Sequence, residues 1–434
     1  MNMVILRNFL VTRYSIIKEG FWVFWGQLLT AIISLVGLRL ITEFTNPVVF
    51  GEVTLWLSVM VLLKSVFVTP VSNYQLRYYP QYFYANQIQS FNTEIKKFYK
   101  KFFFLAAGIF VFLITIASIV KIEFINWLLV PGLLIFFLLD GSKSYFLNIF
   151  SSERKQFILS LFTIGDSILM FAIILLALFL NNSTLSYITG QASSAVLTFF
   201  LLYTFFHLVN TKQIHSSGSN LSSIVVDFKN YTIPFIPIAI LSWILNLSNR
   251  YILNSYSSLV DVGIFTAAFA ISSKPFLFLG GLLTNFFRPI LFEKQSKNEY
   301  AKSNKIFNLW LITNGGLGLL IVIVLFFWGS FISTILLAKD FRQNSAILFF
   351  LIGLGYLFAS MFQAIEYRFM SFGDTKSILI IYLASALIYI SSNLLFIPKQ
   401  GLIGAGSAIL VSFLFQFVIG LLYLNRTLKK KNKF

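Results

Sequence analysis

The sequence predicts an all-α integral membrane protein of twelve transmembrane helices in two six-helix lobes, and three observations carry that prediction. Of 434 residues, 58% are hydrophobic, 18% aromatic and only 11% charged, against about 25% charged in soluble domains. Apolar runs of about 20 residues recur along the chain, each long enough to cross about 30 Å of hydrocarbon as a helix, and no alternating barrel-strand pattern competes. Of the 33 basic residues, 24 fall in alternate connections and only four, Lys121, Lys339, Arg342 and Lys399, in the others. This bias places both termini in the cytoplasm and requires an even number of spans.

The runs place spans at 20–41, 48–69, 99–120, 124–147, 156–180, 184–209, 231–253, 260–287, 306–329, 346–369, 376–397 and 401–425. The first 20 residues are basic and lead into the first span without a small-residue cleavage signature, so they read as an uncleaved cytoplasmic segment. Connections on the outer side are short, such as TEFTNP at 42–47 and NNST at 181–184, and leave no room for an outer catalytic domain. Longer inner connections near 70–98 and 210–230 carry aromatic and basic residues suited to an anionic interface. HSSGSN at 215–220 lies near the midpoint, so residues 210–230 read as a cytoplasmic linker between an N-terminal lobe, 1–209, and a C-terminal lobe, 231–434.

The net charge of +18 sits mainly between spans, where it sets orientation, and does not indicate nucleic acid as a partner. The chain has no cysteine, hence no disulfide or thiol chemistry. Neither His207 nor His215 has neighbours suggesting a metal site, and no nucleotide-binding Gly-Lys-Ser/Thr loop occurs. The reading is a transporter rather than an enzyme, without cofactor or metal.

The two halves echo each other. Arg39 is followed by Gly51 after eleven residues and by Lys64 after twelve more; Arg250 is followed by Gly263 after twelve and by Lys274 after ten. NIFSSERK at 148–155 and FMSFGDTK at 369–376 join the fourth and fifth spans of their halves. Six spans return the chain to the same side, so the repeats are parallel and related by a pseudo-two-fold axis.

Charges at membrane depth cost several kcal/mol and normally face a partner or a hydrated cavity. Arg39, Lys64, Arg250 and Lys274 are such charges. Asp140 has a local partner three residues along in Lys143, a structural pair that leaves an excess of positive charge in the bundle. The functional reading is a cationic cavity for an anionic ligand, with lysine as a point charge and arginine as a fork for phosphate oxygens. The alternative for Arg39 and Arg250 is that they snorkel to the outer interface. Pro275 removes a hydrogen bond beside Lys274 and favours a kink there. Asp166 in the fifth span is a candidate for coupling to H+ or Na+, or a neutraliser of a nearby lysine. Glu366 and Arg368 read as a pair at the inner end of the tenth span.

These features together resemble the polysaccharide transporters of the multidrug/oligosaccharidyl-lipid/polysaccharide exporter superfamily, the Wzx-type O-antigen and capsule flippases. The passages that carry the resemblance are VVFGEVTLWLS at 48–58, NRYILNSYSSLVDVGIFTAAFAISSK at 249–274, RFMSFGDTKS at 368–377 and GLIGAGSAILVSF at 401–413, of which 249–274 is the most specific. The resemblance implies two lobes around a V-shaped, alternating-access cavity in a bacterial inner membrane. It implies as cargo an undecaprenyl-diphosphate-linked oligosaccharide, and as partners membrane lipids, a polysaccharide polymerase and a chain-length regulator. It carries the family's basic cavity residues onto Lys274, and with them Arg250, Lys64 and Arg39. Two other classes stay in view. A membrane-embedded polysaccharide polymerase should carry a long outer loop, which this chain lacks. A cation-coupled multidrug exporter of the same fold needs carboxylates where this bundle is basic.

Overall fold

The computed structural model describes residues 3–119, 126–209 and 221–431. Lys121, Lys212, His215, the 215–220 stretch and Lys433 therefore lie outside the described residues, as do the side chains of Arg7, Arg13, Lys18, Lys429, Lys430 and Lys431. Among the described residues there are helices and no strands. In order they are α1 (Met3–Phe44), α2 (Pro47–Leu63), a π-helical turn (Lys64–Val68), α3 (Thr69–Tyr84), α4 (Ile88–Ile119), α5 (Leu129–Ser152), α6 (Gln156–Leu180) and α7 (Thr184–Val209). Then come α8 (Leu221–Thr232), α9 (Phe235–Leu247), α10 (Asn249–Tyr256), α11 (Leu259–Ser296), α12 (Tyr300–Leu336), a 3-10 turn (Lys339–Phe341), α13 (Ser345–Ser371) and α14 (Thr375–Lys431).

Ten of these helical stretches are long and apolar enough to cross a membrane, and α9 with α10, bent by 42°, makes an eleventh. The apolar runs at 376–397 and 401–425 both fall inside α14, 57 residues long, whose backbone is non-helical at Gly401 (φ 52°, ψ −123°) three residues after Pro398. Proline withdraws one backbone donor and glycine accepts a positive φ, so together they let the chain turn between two spans without a loop. Among the described residues this gives ten or eleven candidate spans against the twelve the apolar runs predict, α14 standing as one kinked helix where two spans are expected.

Two local differences from the sequence reading have clear causes. The helical stretch of the second span does not end near residue 70 but runs 38 residues, from Pro47 to Tyr84. Pro70 falls in the first turn of α3, where its missing N–H has little to lose, and the widened π turn before it absorbs the mismatch. Likewise α11 continues through both Pro275 and Pro289 as a helix of 38 residues.

The described chain forms two compact units: Met1–Gly37 with Val59–Ile236, and Leu38–Ser58 with Pro237–Phe434. The residues around the α1–α2 connection thus group with the second half of the chain, whereas the linker-based division assigns them to the first.

In the first unit α5 packs on α7 and α3, and α6 on α7. Its interior is aromatic, with the ring of Phe150 among those of Phe162, Phe205 and Phe206. Helix α8 docks through buried Phe228, which stacks on Phe98 at 4.0 Å between centroids and meets Tyr74 edge-on. Apolar residues on one face of that short helix cover α3 and α4, so part of the expected linker is an ordered strap.

In the second unit α11 is the most buried span, and α13 packs on α11, α12 and α14. Trp310 stacks between Phe287 and Tyr367. Asn314 donates to the Ser360 carbonyl at 2.7 Å and accepts from the Ser360 hydroxyl at 3.2 Å, tying α12 to α13 in a setting where water cannot satisfy either group. Helices α2 and α11 touch backbone to backbone: a Cβ on Gly51 would lie 2.1 Å from the Leu259 carbonyl oxygen, and one on Gly263 2.1 Å from that of Pro47. The two glycines at matching places in the repeats are therefore the two halves of one reciprocal crossing, of the small-residue kind that lets membrane helices approach closely.

Candidate functional site: charges held within each unit

In the first unit four charges alternate in sign. Lys64, the first residue of the π turn, donates to Asp140 Oδ2 at 2.5 Å. Asp140 Oδ1 receives Lys143 at 3.2 Å. Lys143 in turn donates to Asp166 Oδ1 at 2.6 Å and to the Thr198 hydroxyl at 3.2 Å. The helical spacing of Asp140 and Lys143 puts both on one face of α5, while Lys64, Asp166 and Thr198 arrive from the π turn, α6 and α7. Lys143 is the buried centre, 8% exposed, whereas the end members Lys64 and Asp166 are 41% and 38% exposed. Two cations and two anions make the network neutral. A cavity of about 450 Å³, lined by Leu161, Phe205 and other apolar side chains, reaches Lys143 and Asp166.

In the second unit the sequence-selected cations are not gathered into one cluster. Arg39 pairs with Glu43 one turn along α1, both of them substantially exposed. Arg250 is buried on α10, with its guanidinium 5.6 Å from the centre of the Phe269 ring. Its Nε has no hydrogen-bond partner, and neither polar atom of the adjacent, fully buried Asn249 has one. Lys274 is half-buried on α11 and, among the described residues, has no hydrogen bond or carboxylate within ion-pair distance. Of these four cations, Lys64 and Arg39 have carboxylate partners, Arg250 has an aromatic one, and Lys274 has no partner among the described residues.

Toward the C-terminal end of α13 the pairing differs from the sequence reading. Arg368 is 1% exposed and donates to Gln295 at 3.0 Å, to Asn304 at 2.5 Å and to the Ser303 hydroxyl, with the Phe372 ring centre 4.5 Å away. Glu366 instead accepts from the Tyr382 hydroxyl at 3.3 Å. Residues two apart on a helix point in widely different directions, so these two side chains serve different neighbours. Arg368 fastens the α11–α12 connection to α13. Between α11 and α12, Glu299 forms ion pairs with Lys294 at 3.2 Å and Lys302 at 3.3 Å, which hold its carboxyl below the usual range.

The sequence does not single out Thr198, Gln295, Ser303 or Asn304, because their roles depend on partners 55 to 73 residues away. Among the described residues no group of three or more His, Cys, Asp or Glu side chains could hold a metal ion.

Comparison with known proteins adds family and fold. Residues 16–295 match the sequence profile described as polysaccharide biosynthesis protein. No curated protein sequence matches the chain. Among solved structures, the lipid II flippase MurJ in an inward closed conformation is similar with a TM-score of 0.65 at 15% identity, over 94% of this chain and 87% of that one. An inward-facing multidrug resistance MATE transporter of the MOP superfamily is similar with a TM-score of 0.58 at 13% identity, over 94% and 96%. A MATE transporter of Vibrio cholerae gives 0.60 at 11% identity, over 96% and 97%. At these identities the likeness is one of fold.

Proposed function

This chain belongs to the polysaccharide biosynthesis protein family, and on that premise we propose that it is a flippase for an undecaprenyl-diphosphate-linked oligosaccharide. The cargo is the repeat unit of an O-antigen, capsule or exopolysaccharide. It passes from the cytoplasmic to the outer leaflet of a bacterial inner membrane by alternating access through a cationic cavity, and both termini of the protein are cytoplasmic.

The observation that carries this reading is Lys274: a half-buried lysine on a membrane-depth helix with no anion in reach among the described residues. An ammonium so placed costs several kcal/mol unless water or an anion meets it. A diphosphate supplies that anion, and in exchange the lysine replaces part of the hydration the diphosphate sheds. Lys64 is a second phosphate ligand held in reserve by Asp140. The anionic cargo competes with Asp140 for its ammonium, which is 41% exposed. Arg250 and Arg39 contribute positive potential rather than direct ligation.

Asp166 is the coupling group. When it takes up H+, or is screened by Na+, Lys143 turns its full charge to Asp140, and the hold of Asp140 on Lys64 weakens. Cation uptake at one end of the network is thereby tied to the release of a phosphate ligand at the other. The multidrug-exporter reading fits less well, because Asp140 is held between Lys64 and Lys143, and Asp166, shared with Lys143, has room for a small cation rather than a cationic drug. The test is Lys274→Ala in the native host: surface glycan is lost while the protein stays at wild-type level in the membrane. Wild-type surface glycan in that variant refutes the assignment of Lys274.

A further inference from the structure

Two cavities of the first unit meet at Lys96 and Tyr145. One, of about 810 Å³, lies among the end of α3, the start of α4 and the ends of α5 and α7, and its wall includes the rings of Tyr79, Phe83, Tyr84 and Phe206. In the same wall Asn92 Oδ1 and Ser152 Oγ have no hydrogen-bond partner. The other, about 520 Å³, is a groove between α4, α5 and α7 floored by Phe103, Leu138, Phe146 and Phe199. Lys96, Lys100 and His207 stand at the end of the groove where the two cavities join. The Lys96 ammonium lies 5.5 Å from the centre of the Tyr145 ring, and among the described residues neither Lys96 nor Lys100 has a carboxylate in ion-pair distance. Along α4 the groove runs from Lys96 to Ala107, which at about 1.5 Å per residue is roughly 16 Å, half the hydrocarbon thickness.

The shape is that of a lipid from one leaflet: an apolar trough one leaflet deep, a basic collar, and beyond the collar a polar chamber. The inner-side bias of basic residues puts the collar at the cytoplasmic surface. A bare phosphate fills only the collar. The aromatic rings of the larger chamber, with Thr93 and Glu153 beside them in its wall, suit sugar rings, whose apolar faces stack on aromatics while their hydroxyls meet polar side chains.

We propose that these joined cavities are a cytoplasmic docking site for a lipid-linked saccharide, with the chain in the α4–α5–α7 groove, the phosphate at Lys96 and Lys100, and the sugar in the chamber beside Tyr145. The proposal rests on the reading of the protein as a transporter of such a lipid and adds a place where cargo is held before it is moved.

The test uses the full-length protein in nanodiscs with a photo-crosslinking amino acid in place of the exposed groove residue Phe104. The probe is radiolabelled undecaprenyl diphosphate bearing a disaccharide, and the competitors are undecaprenyl phosphate and phosphatidylglycerol. The expected result is crosslinking that the unlabelled saccharide lipid competes away better than either competitor. The double substitution Lys96→Ala and Lys100→Ala, at two exposed side chains, weakens it about thirtyfold, the weight of two lysine contacts near a membrane surface. Equal competition by phosphatidylglycerol would show an ordinary lipid seat and overturn the proposal. Crosslinking that is absent, or indifferent to the double substitution, overturns it too. A Lys274→Ala arm separates this site from the transport reading: groove crosslinking persists there whether or not translocation is lost.

Discussion

Replacing Asp140 with asparagine isolates the charge balance of the first unit. The substitution keeps size and one acceptor oxygen but removes the anion shared by Lys64 and Lys143. Lys143 keeps Asp166 at 2.6 Å, so its loss is limited to the longer 3.2 Å contact. Lys64 loses its carboxylate altogether. Stranding a fully buried charge costs about 3–5 kcal/mol and breaking an exposed pair about 0–1. Lys64 is 41% exposed and Asp140 22%, so the cost falls between these limits, about 2 kcal/mol. Adding Lys64→Met removes the stranded cation and leaves the neutral Lys143–Asp166 pair, so the double variant recovers most of that loss. The assay is thermal unfolding of the detergent-purified protein, with the two single variants and the double variant forming a cycle. A coupling of about 1–2 kcal/mol is expected, and additivity within about 0.5 kcal/mol would refute the network.

Other substitutions test the frame. Gly51→Ala drives a Cβ into the Leu259 carbonyl oxygen at 2.1 Å, a backbone atom that cannot turn aside, and should cost at least the ~1–3 kcal/mol of overpacking, read as a lowered unfolding temperature. Gly401→Ala forces a side chain onto φ 52°, with an expected cost of about 1–3 kcal/mol and reduced yield of folded protein in the membrane. Arg368→Met leaves the oxygens of Ser303 and Asn304 without their donor and Gln295 with only the Ser303 hydroxyl at 3.3 Å, and should destabilise by about 1–3 kcal/mol on the same assay. Arg368→Lys restores only part of this, because an ammonium cannot span the same fork.

What the sequence made legible follows from what is local. Apolar runs betray spans because membrane depth is a property of about 20 consecutive residues, and Pro398 with Gly401 marks a break because backbone conformation is set by the residue itself. The Gly51 and Gly263 correspondence was visible as a repeat of spacing, though not as a contact, since a Cβ that is missing says nothing of what takes its place. Charge partners were harder. The pairing of Asp140 with Lys143 is written in a three-residue spacing. The stronger contact of Asp140 with Lys64, 76 residues away, comes from tertiary packing. The Glu366–Arg368 pairing had a local counter-signal, because positions two apart on a helix do not face each other. The π turn at Lys64 had none beyond Pro70, whose effect was as consistent with a span end as with a widened turn.

The central claim is that Lys274 meets the phosphates of a lipid-linked oligosaccharide during its passage across the bilayer, and it is tested most directly with purified protein in proteoliposomes. Undecaprenyl-diphosphate-linked oligosaccharide is loaded in one leaflet, and its arrival in the other is followed by accessibility to a membrane-impermeant glycan-modifying enzyme. The account predicts movement well above protein-free vesicles for the wild-type chain and a fall to the protein-free rate for Lys274→Ala, with equal reconstitution and unfolding temperature. Wild-type movement by Lys274→Ala, or none by the wild-type chain, would contradict it.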